Sequence, residues 1–250
     1  MPQSPARFTD QTIIVTGAGA GIGRATALRL ASEGARVIAA DLSAANLASL
    51  ADEAAGVEIV PVVGDLTQTD FIDAIVKAGG DRIDGVANIA GISDGWRPPA
   101  EIDDATWQRV FDLNLTAPMR LSRAVLPQML ARGRGAFVFV SSEASFRASL
   151  SGAAYTSSKH GLNGFAKSLA FYYGAEGIRS NVVAPGGVLT GMDTVFHSDY
   201  AKAKTAPILQ TAPASVEPDV IVHSILWLLS DDSPNINGVI LPCDSGWTTM

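Results

Sequence analysis

Tyr155 and Lys159 stand four residues apart in Tyr-Thr-Ser-Ser-Lys, in a stretch of helical periodicity, and that spacing puts a phenol and an ammonium one turn apart on one helix face. A free tyrosine gives up its proton near pH ~10. A nearby ammonium favours the phenolate and brings the group closer to working pH for proton exchange with an alcohol or a carbonyl. The same pair occurs on many solvated helices, so the spacing alone decides nothing. Two further polar residues sit where apolar ones are expected. Ser142 follows the apolar strand Phe137-Val138-Phe139-Val140, 13 residues before Tyr155, with Ser141 as an alternative beside it. Asn114 lies within a long apolar helical stretch, where a mediocre helix former with a buried amide needs partners. A hydrophilic strand end and a satisfied structural asparagine are the plainer readings of the two.

A second constellation comes earlier. Thr16-Gly17-Ala18-Gly19-Ala20-Gly21-Ile22-Gly23 follows the first β-rich run and opens a helical one. Glycines there let the chain turn sharply and let backbone N–H groups approach a pyrophosphate at the positive end of the helix. Asp41 ends the second β-rich run, 18 residues after Gly23, near the ~20 expected of an acidic residue that binds an adenosine ribose. Its charge repels a 2′-phosphate and so points to NAD(H) over NADP(H). A cap for the next helix is the alternative, although Ser43 can serve there equally well.

These residues need a frame. Short β-rich runs over 12–16, 36–41, 58–63, 85–88, 136–141, 179–184 and 239–243 alternate with helical patterns over 22–33, 44–54, 69–78, 105–130, 155–173 and 215–229. Several strands read as continuous apolar runs, which belong to a sheet covered on both faces. Right-handed crossovers then give an α/β fold, a doubly wound, seven-stranded parallel sheet of the Rossmann type in a single domain, 1–250, with ligands at the carboxyl ends of the strands. Residues 187–213 break the rhythm, are expected to be irregular and contain Pro207 and Pro213; they suggest a substrate lid.

Composition narrows the partners. With 47% hydrophobic residues and a mean hydropathy of +0.22 the chain has ample material for a core. The longest apolar stretch, 221–229, falls short of the ~20 residues of a membrane span, and residues 1–10 lack the apolar core of a secretory signal. No membrane association and a cytoplasmic location are expected. A net charge of −7 argues against nucleic acid. Cys243 is the single cysteine and there are three histidines, which leaves no disulfide and no expected metal site.

The motifs together resemble those of the short-chain dehydrogenase/reductase family over nearly the whole chain: Thr-Gly-x-x-x-Gly-x-Gly at the turn, Asn88-Ile89-Ala90-Gly91 after the fourth strand, Tyr155-x-x-x-Lys159, and Pro185-Gly186-Gly187-Val188-Leu189-Thr190 after the sixth. Ile89 and Ser245 depart from the family pattern. The resemblance implies that Ser142 holds the substrate oxygen, Tyr155 carries the proton, Lys159 tunes Tyr155 and binds the nicotinamide ribose, and Asn114 holds a water leading to solvent. It implies a dinucleotide held by Gly17, Gly21, Ile22, Gly23, Asp41, Leu42, Asp65, Leu66, Asn88, Ala90, Gly91, Tyr155, Lys159, Pro185, Gly186, Val188 and Thr190. Ala20, where NADP-preferring members often carry a basic residue, and Leu42 after Asp41 agree with NAD. Trp96, Glu143, Phe146, Gly187, Met192 and Phe196 are the candidate substrate wall, with Glu143 and Arg147 able to meet hydroxyl or charged groups. The expected activity is hydride transfer between NAD(H) and a secondary alcohol or ketone, in a homotetramer, or less often a dimer, built partly on the helices at 105–130 and 155–173. An NADPH-dependent 3-oxoacyl-thioester reductase and a non-catalytic dinucleotide sensor are the alternatives.

Overall fold

The computed structural model describes residues 6–54, 56–192 and 195–250. Seven parallel strands, β1 (Thr12–Thr16), β2 (Arg36–Asp41), β3 (Ile59–Val63), β4 (Gly85–Asn88), β5 (Gly135–Val140), β6 (Ile178–Pro185) and β7 (Ile240–Cys243), form one sheet in the order β3-β2-β1-β4-β5-β6-β7. Helices α1 (Gly21–Ser32), α2 (Ala44–Glu53), α3 (Thr69–Gly79), α4 (Asp104–Phe111), α5 (Ala117–Arg132), α6 (Ala153–Tyr173), α7 (Asp199–Leu209) and α8 (Pro218–Leu229) connect them.

Strand period two explains the two cores. Ile13, Val15, Val37, Ala39, Val138 and Val183 face one way, into α1 and α8. Ile14, Ile38, Val86, Phe137, Phe139 and Val182 face the other, into α3, α5 and α6. Strands β1, β4 and β5 are buried along their whole length, as continuous apolar runs require. The edge strands β3 and β7 are not. Each carries a proline, Pro61 and Pro242, tolerable only where one side of the ladder has no partner. The order reverses between β1 and β4, and the crevice at their carboxyl ends is where such folds bind ligands.

The structure corrects the sequence reading in two places. The stretch at 105–130 is two helices, α4 and α5, joined by a π turn at Asp112–Thr116. Pro118 has no N–H to give the carbonyl of Asn114 four residues earlier, and the turn widens there. Residues 187–213 are not irregular throughout: α7 lies inside them, started by Ser198, whose hydroxyl accepts the N–H of Ala201, and running through Pro207 near its end. Residues 193 and 194 of the expected lid lie outside the described residues. Among the described residues no helix is long and apolar enough to cross a membrane.

Candidate active site

The end of β5 and the start of α6 are stapled together. Lys159 Nζ donates to the Val140 carbonyl at 2.9 Å, and Ser141 Oγ donates to the Lys159 carbonyl at 3.3 Å. Ser141 is thus spent on the backbone. Ser142, the next residue, is half-buried; its Oγ accepts the Ala144 N–H at 3.1 Å and faces the Tyr155 hydroxyl, whose proton affinity it lowers. Tyr155 and Lys159 are buried, with Nζ 5.6 Å from the phenol ring centroid.

Burial dominates the proton affinities. It pushes the Tyr155 phenol up to about 12, offset in part by the hydrogen bond with Ser142 and reinforced by the negative charge of Asp94. It pushes the Lys159 ammonium down to about 8. The expectation that Lys159 draws Tyr155 toward phenolate is therefore not met in the chain alone, because desolvation of the phenolate outweighs an ammonium that points at Val140.

Asn114 is completely buried, and its amide is fully committed. Its Oδ1 accepts the Ile92 N–H at 2.9 Å, and its Nδ2 donates to the Ile92 carbonyl at 3.0 Å and to Ser158 Oγ at 3.2 Å. Ser158 in turn donates to the Tyr155 carbonyl. The π turn thus holds the loop after β4 against α6. A Cβ on Gly91 would lie 3.2 Å from Asn114 Oδ1 and 3.3 Å from Lys159 Nζ, so loop, amide and ammonium meet at one point.

At the carboxyl end of β1, the N-cap of α1 is Ala20, which has no side chain to cap with, and the first turn holds no acidic residue. Its leading N–H groups are therefore suited to an anion. Gly23 has to be glycine, since a Cβ would lie 1.9 Å from the Gly17 carbonyl oxygen. Asp41 sits at the rim: its carboxylate accepts the N–H of Gly19 at 2.9 Å and of Ser43 at 2.8 Å, while Leu42 is largely exposed beside it. Thr16 Oγ1 accepts the N–H groups of Ile89 and Ala90 and pins the next loop against the turn. Asn88 Nδ2 is buried without a partner among the described residues, and a buried donor of that kind calls for an acceptor. Thr190 packs on Gly21, bringing the loop after β6 to the same crevice. Asp65 closes a local turn with Thr67, and the Leu66 side chain belongs to the core. The donors, the uncapped helix and the orphaned Asn88 amide fit a dinucleotide.

A model of the family described as short chain dehydrogenase matches residues 11–201. The chain belongs to the short-chain dehydrogenase/reductase family. It is 38% identical over 258 residues to the short chain dehydrogenase ausX of Penicillium brasilianum, covering 96% of this chain and 97% of that one. Among solved structures, levodione reductase superposes with a TM-score of 0.88 at 32% identity over 97% of this chain and 99% of the other. A putative NAD(P)-dependent gluconate 5-dehydrogenase from Beutenbergia cavernae, with NADP bound, superposes with a TM-score of 0.87 at 32% identity over 99% of this chain and all of that one. This short-chain dehydrogenase is thus an oxidoreductase of a family that binds a nicotinamide dinucleotide.

Around its catalytic centre the candidate substrate wall divides. Trp96 and Phe196 stack, ring centroids 4.5 Å apart, joining the loop after β4 to the segment after β6. Met192 and Phe146 are exposed, and Gly187 packs on Ser215. Glu143 and Arg147 are ion-paired to each other, and burial raises the Glu143 carboxyl. Arg147 also donates to the carbonyls of Trp247 and Met250 and lies 5.3 Å from the Trp247 ring centroid. They form a latch to residues 247–250, yet Glu143 Oε2 and Arg147 Nε stay buried without a hydrogen-bond partner among the described residues. Thr16 opens the glycine motif and Asp94 lies in the segment 93–96 expected to face the substrate, but the anchoring roles of Asp94, Ser158 and Thr16 are not marked in the sequence. An aspartate in Ser-Asp-Gly reads as a turn former, and serine and threonine beside motif residues carry no signal of their own; Pro118, four residues after Asn114, did carry one.

Proposed function

We propose that this short-chain dehydrogenase transfers a hydride between NAD(H) and a secondary alcohol or ketone, with Tyr155 as the proton-transferring residue. The observation that carries the reading is the convergence of Ser142, Tyr155 and Lys159 at the carboxyl end of β5, beside the uncapped N-terminus of α1. The dinucleotide supplies the hydride acceptor or donor. Ser142 orients the substrate oxygen and offers it a hydrogen bond. Tyr155 gives its proton to that oxygen in reduction and takes it back in oxidation. With its proton held up to about 12, Tyr155 is protonated at neutral pH, the state that carbonyl reduction requires of it. Positive charge brought near the ring, including that of a protonated Lys159, eases the reverse step. Lys159 Nζ, pinned to Val140, would hold the nicotinamide ribose. Asn114 steadies the loop through Ile92, and its backbone carbonyl, which cannot receive an N–H from Pro118, would hold a water leading from Lys159.

Gly17, Gly21, Gly23 and Asn88 to Gly91 would hold the pyrophosphate and its neighbours, Asp41 the adenosine ribose, Asp65 the adenine, and Val188 with Thr190 the carboxamide. NAD over NADP rests on the Asp41 charge, although one similar structure holds NADP. Residues 187–213 serve as the lid, with the Trp96 and Phe196 stack as an apolar wall for the body of the substrate. The enzyme is taken to be a cytoplasmic homotetramer; the exposed aromatics Trp107 on α4 and Phe171 and Tyr172 on α6 supply contact surface of the right kind.

A panel of secondary alcohols with NAD, followed by NADH absorbance, tests the reading. Tyr155→Phe lowers turnover of the best alcohol about 100-fold or more and leaves the NADH dissociation constant within about twofold. Near-normal turnover of that variant would remove Tyr155 from the chemistry.

A further inference from the structure

Helix α6 carries Tyr155 in its first turn, but its N-cap, Gly152, has no side chain to satisfy the leading N–H groups. The cap comes from elsewhere. Asp94, on the loop after β4 and 1% exposed, accepts the Tyr155 N–H with Oδ2 at 2.9 Å and the Trp96 N–H with Oδ1 at 3.1 Å. The Arg97 carbonyl takes the Ala153 N–H at 2.9 Å. Gly152 makes this approach possible, because a Cβ there would lie 2.4 and 2.5 Å from the two Asp94 oxygens. Trp96 is held at φ 61°, a left-handed conformation that costs a tryptophan energy and persists only where its surroundings impose it. The Asp94 acceptor is one such constraint. The stack on Phe196 and the His197 N–H to Gly95 carbonyl bond are others.

We propose that Asp94 is a positioning residue that locks Tyr155 to the Trp96–Phe196 wall, so that proton carrier and substrate wall keep one spacing and the tyrosine feels a fixed negative charge. The proposal rests on Tyr155 as the proton carrier. A carboxylate at the N-terminus of a helix is stabilised by the helix dipole, and in the buried site it disfavours a second negative charge on the phenol. The charged and titratable groups facing this joint are Arg97 and Asp103 on the Asp94 side, His197 on the segment after β6, and Lys159 on α6; β5 contributes the neutral Ser142. Arg97 binds the Asp94 carbonyl and His197 Nδ1, leaving the carboxylate to the two N–H groups.

Asp94→Asn keeps the shape and one acceptor while removing the charge; Asp94→Ala removes both. With NAD and the secondary alcohol that the wild type oxidises fastest, the rising limb of kcat/KM against pH moves down by about one pH unit in Asp94→Asn, with the NADH dissociation constant within about twofold. In Asp94→Ala, kcat falls about tenfold or more at unchanged NADH affinity, and the Trp96 and Tyr155 amides exchange hydrogen faster. A limb at the wild-type pH in Asp94→Asn overturns the proposal, as does an Asp94→Ala kcat within twofold of wild type. Should Asp94→Ala fail to fold, the limb in Asp94→Asn decides. An active Tyr155→Phe sinks the reading of Tyr155 instead; an inactive Tyr155→Phe with an unmoved Asp94→Asn limb sinks the role of Asp94 alone.

Discussion

At the rim of the crevice one carboxylate does two jobs. Asp41 accepts the Gly19 and Ser43 N–H groups and thereby shapes the turn between β1 and α1, and in the proposed function its charge also meets a ribose. Its two roles separate in Asp41→Asn, which keeps an oxygen for one N–H and removes the charge. Hydrogen bonds to a charged partner contribute about 1.5–3 kcal/mol, and each ~1.4 kcal/mol is tenfold in affinity. The ratio of NADPH to NADH dissociation constants should therefore shift toward NADPH by about 10- to 100-fold, read by titrating each reduced dinucleotide against its own fluorescence. An unchanged ratio would show that the carboxylate serves the turn and not the choice of dinucleotide. The place of Asp41 at a strand end beside the glycine turn was legible in the sequence, because that position is itself the signal. Asp94 was not, since its partners are 61 residues away at Tyr155 and two away at Trp96, and no local pattern marks a cap supplied across the fold.

The alternation of elements was likewise legible, because strand period two and helix period 3.6 impose it on the sequence. Element ends were not, where polar chemistry or proline overrides periodicity. The clearest case is the π turn at Asp112–Thr116, concealed within one continuous helical pattern and marked only by Pro118, which has no N–H for the carbonyl four residues earlier. The turn turns the Asn114 amide onto Ile92 and Ser158. Asn114→Ala orphans the half-buried N–H and carbonyl of Ile92, at about 1–3 kcal/mol for each group left unsatisfied. Urea unfolding should register a loss of about 2–4 kcal/mol together with reduced turnover. If Asn114 acted only by holding a water for proton movement, turnover would drop with the unfolding midpoint unmoved, and the anchoring role argued here would be wrong.

For the whole molecule, the proposed catalytic centre is built at the expense of stability. Lys159 is buried at the end of the sheet, with its ammonium pushed down to about 8 from an ordinary 10.5. Between those values the unfolded chain binds a proton that the folded chain does not, so this group makes stability rise with pH across the window and withholds that stability in full below about pH 8. A window about 2.5 pH units wide at ~1.4 kcal/mol each amounts to about 3 kcal/mol. Tyr155 works in the opposite sense: folded, it keeps its proton up to about 12, whereas the unfolded chain loses it near 10, so its contribution is present below pH 10 and is lost above. Measurements between pH 8 and 9.5 stay below the tyrosine, and the opposing contribution of the Cys243 thiol, which burial pushes up, cancels when the wild type is compared with a variant at Lys159. Lys159→Met keeps the buried stem and removes the charge, at the cost of the hydrogen bond to Val140. Chemical unfolding of the ligand-free wild type should show stability climbing over that interval relative to Lys159→Met, whose curve lacks the contribution. Parallel curves for the two proteins would mean that the folded state accommodates the charged ammonium without penalty, and the burial at the heart of the site would then have no energetic consequence.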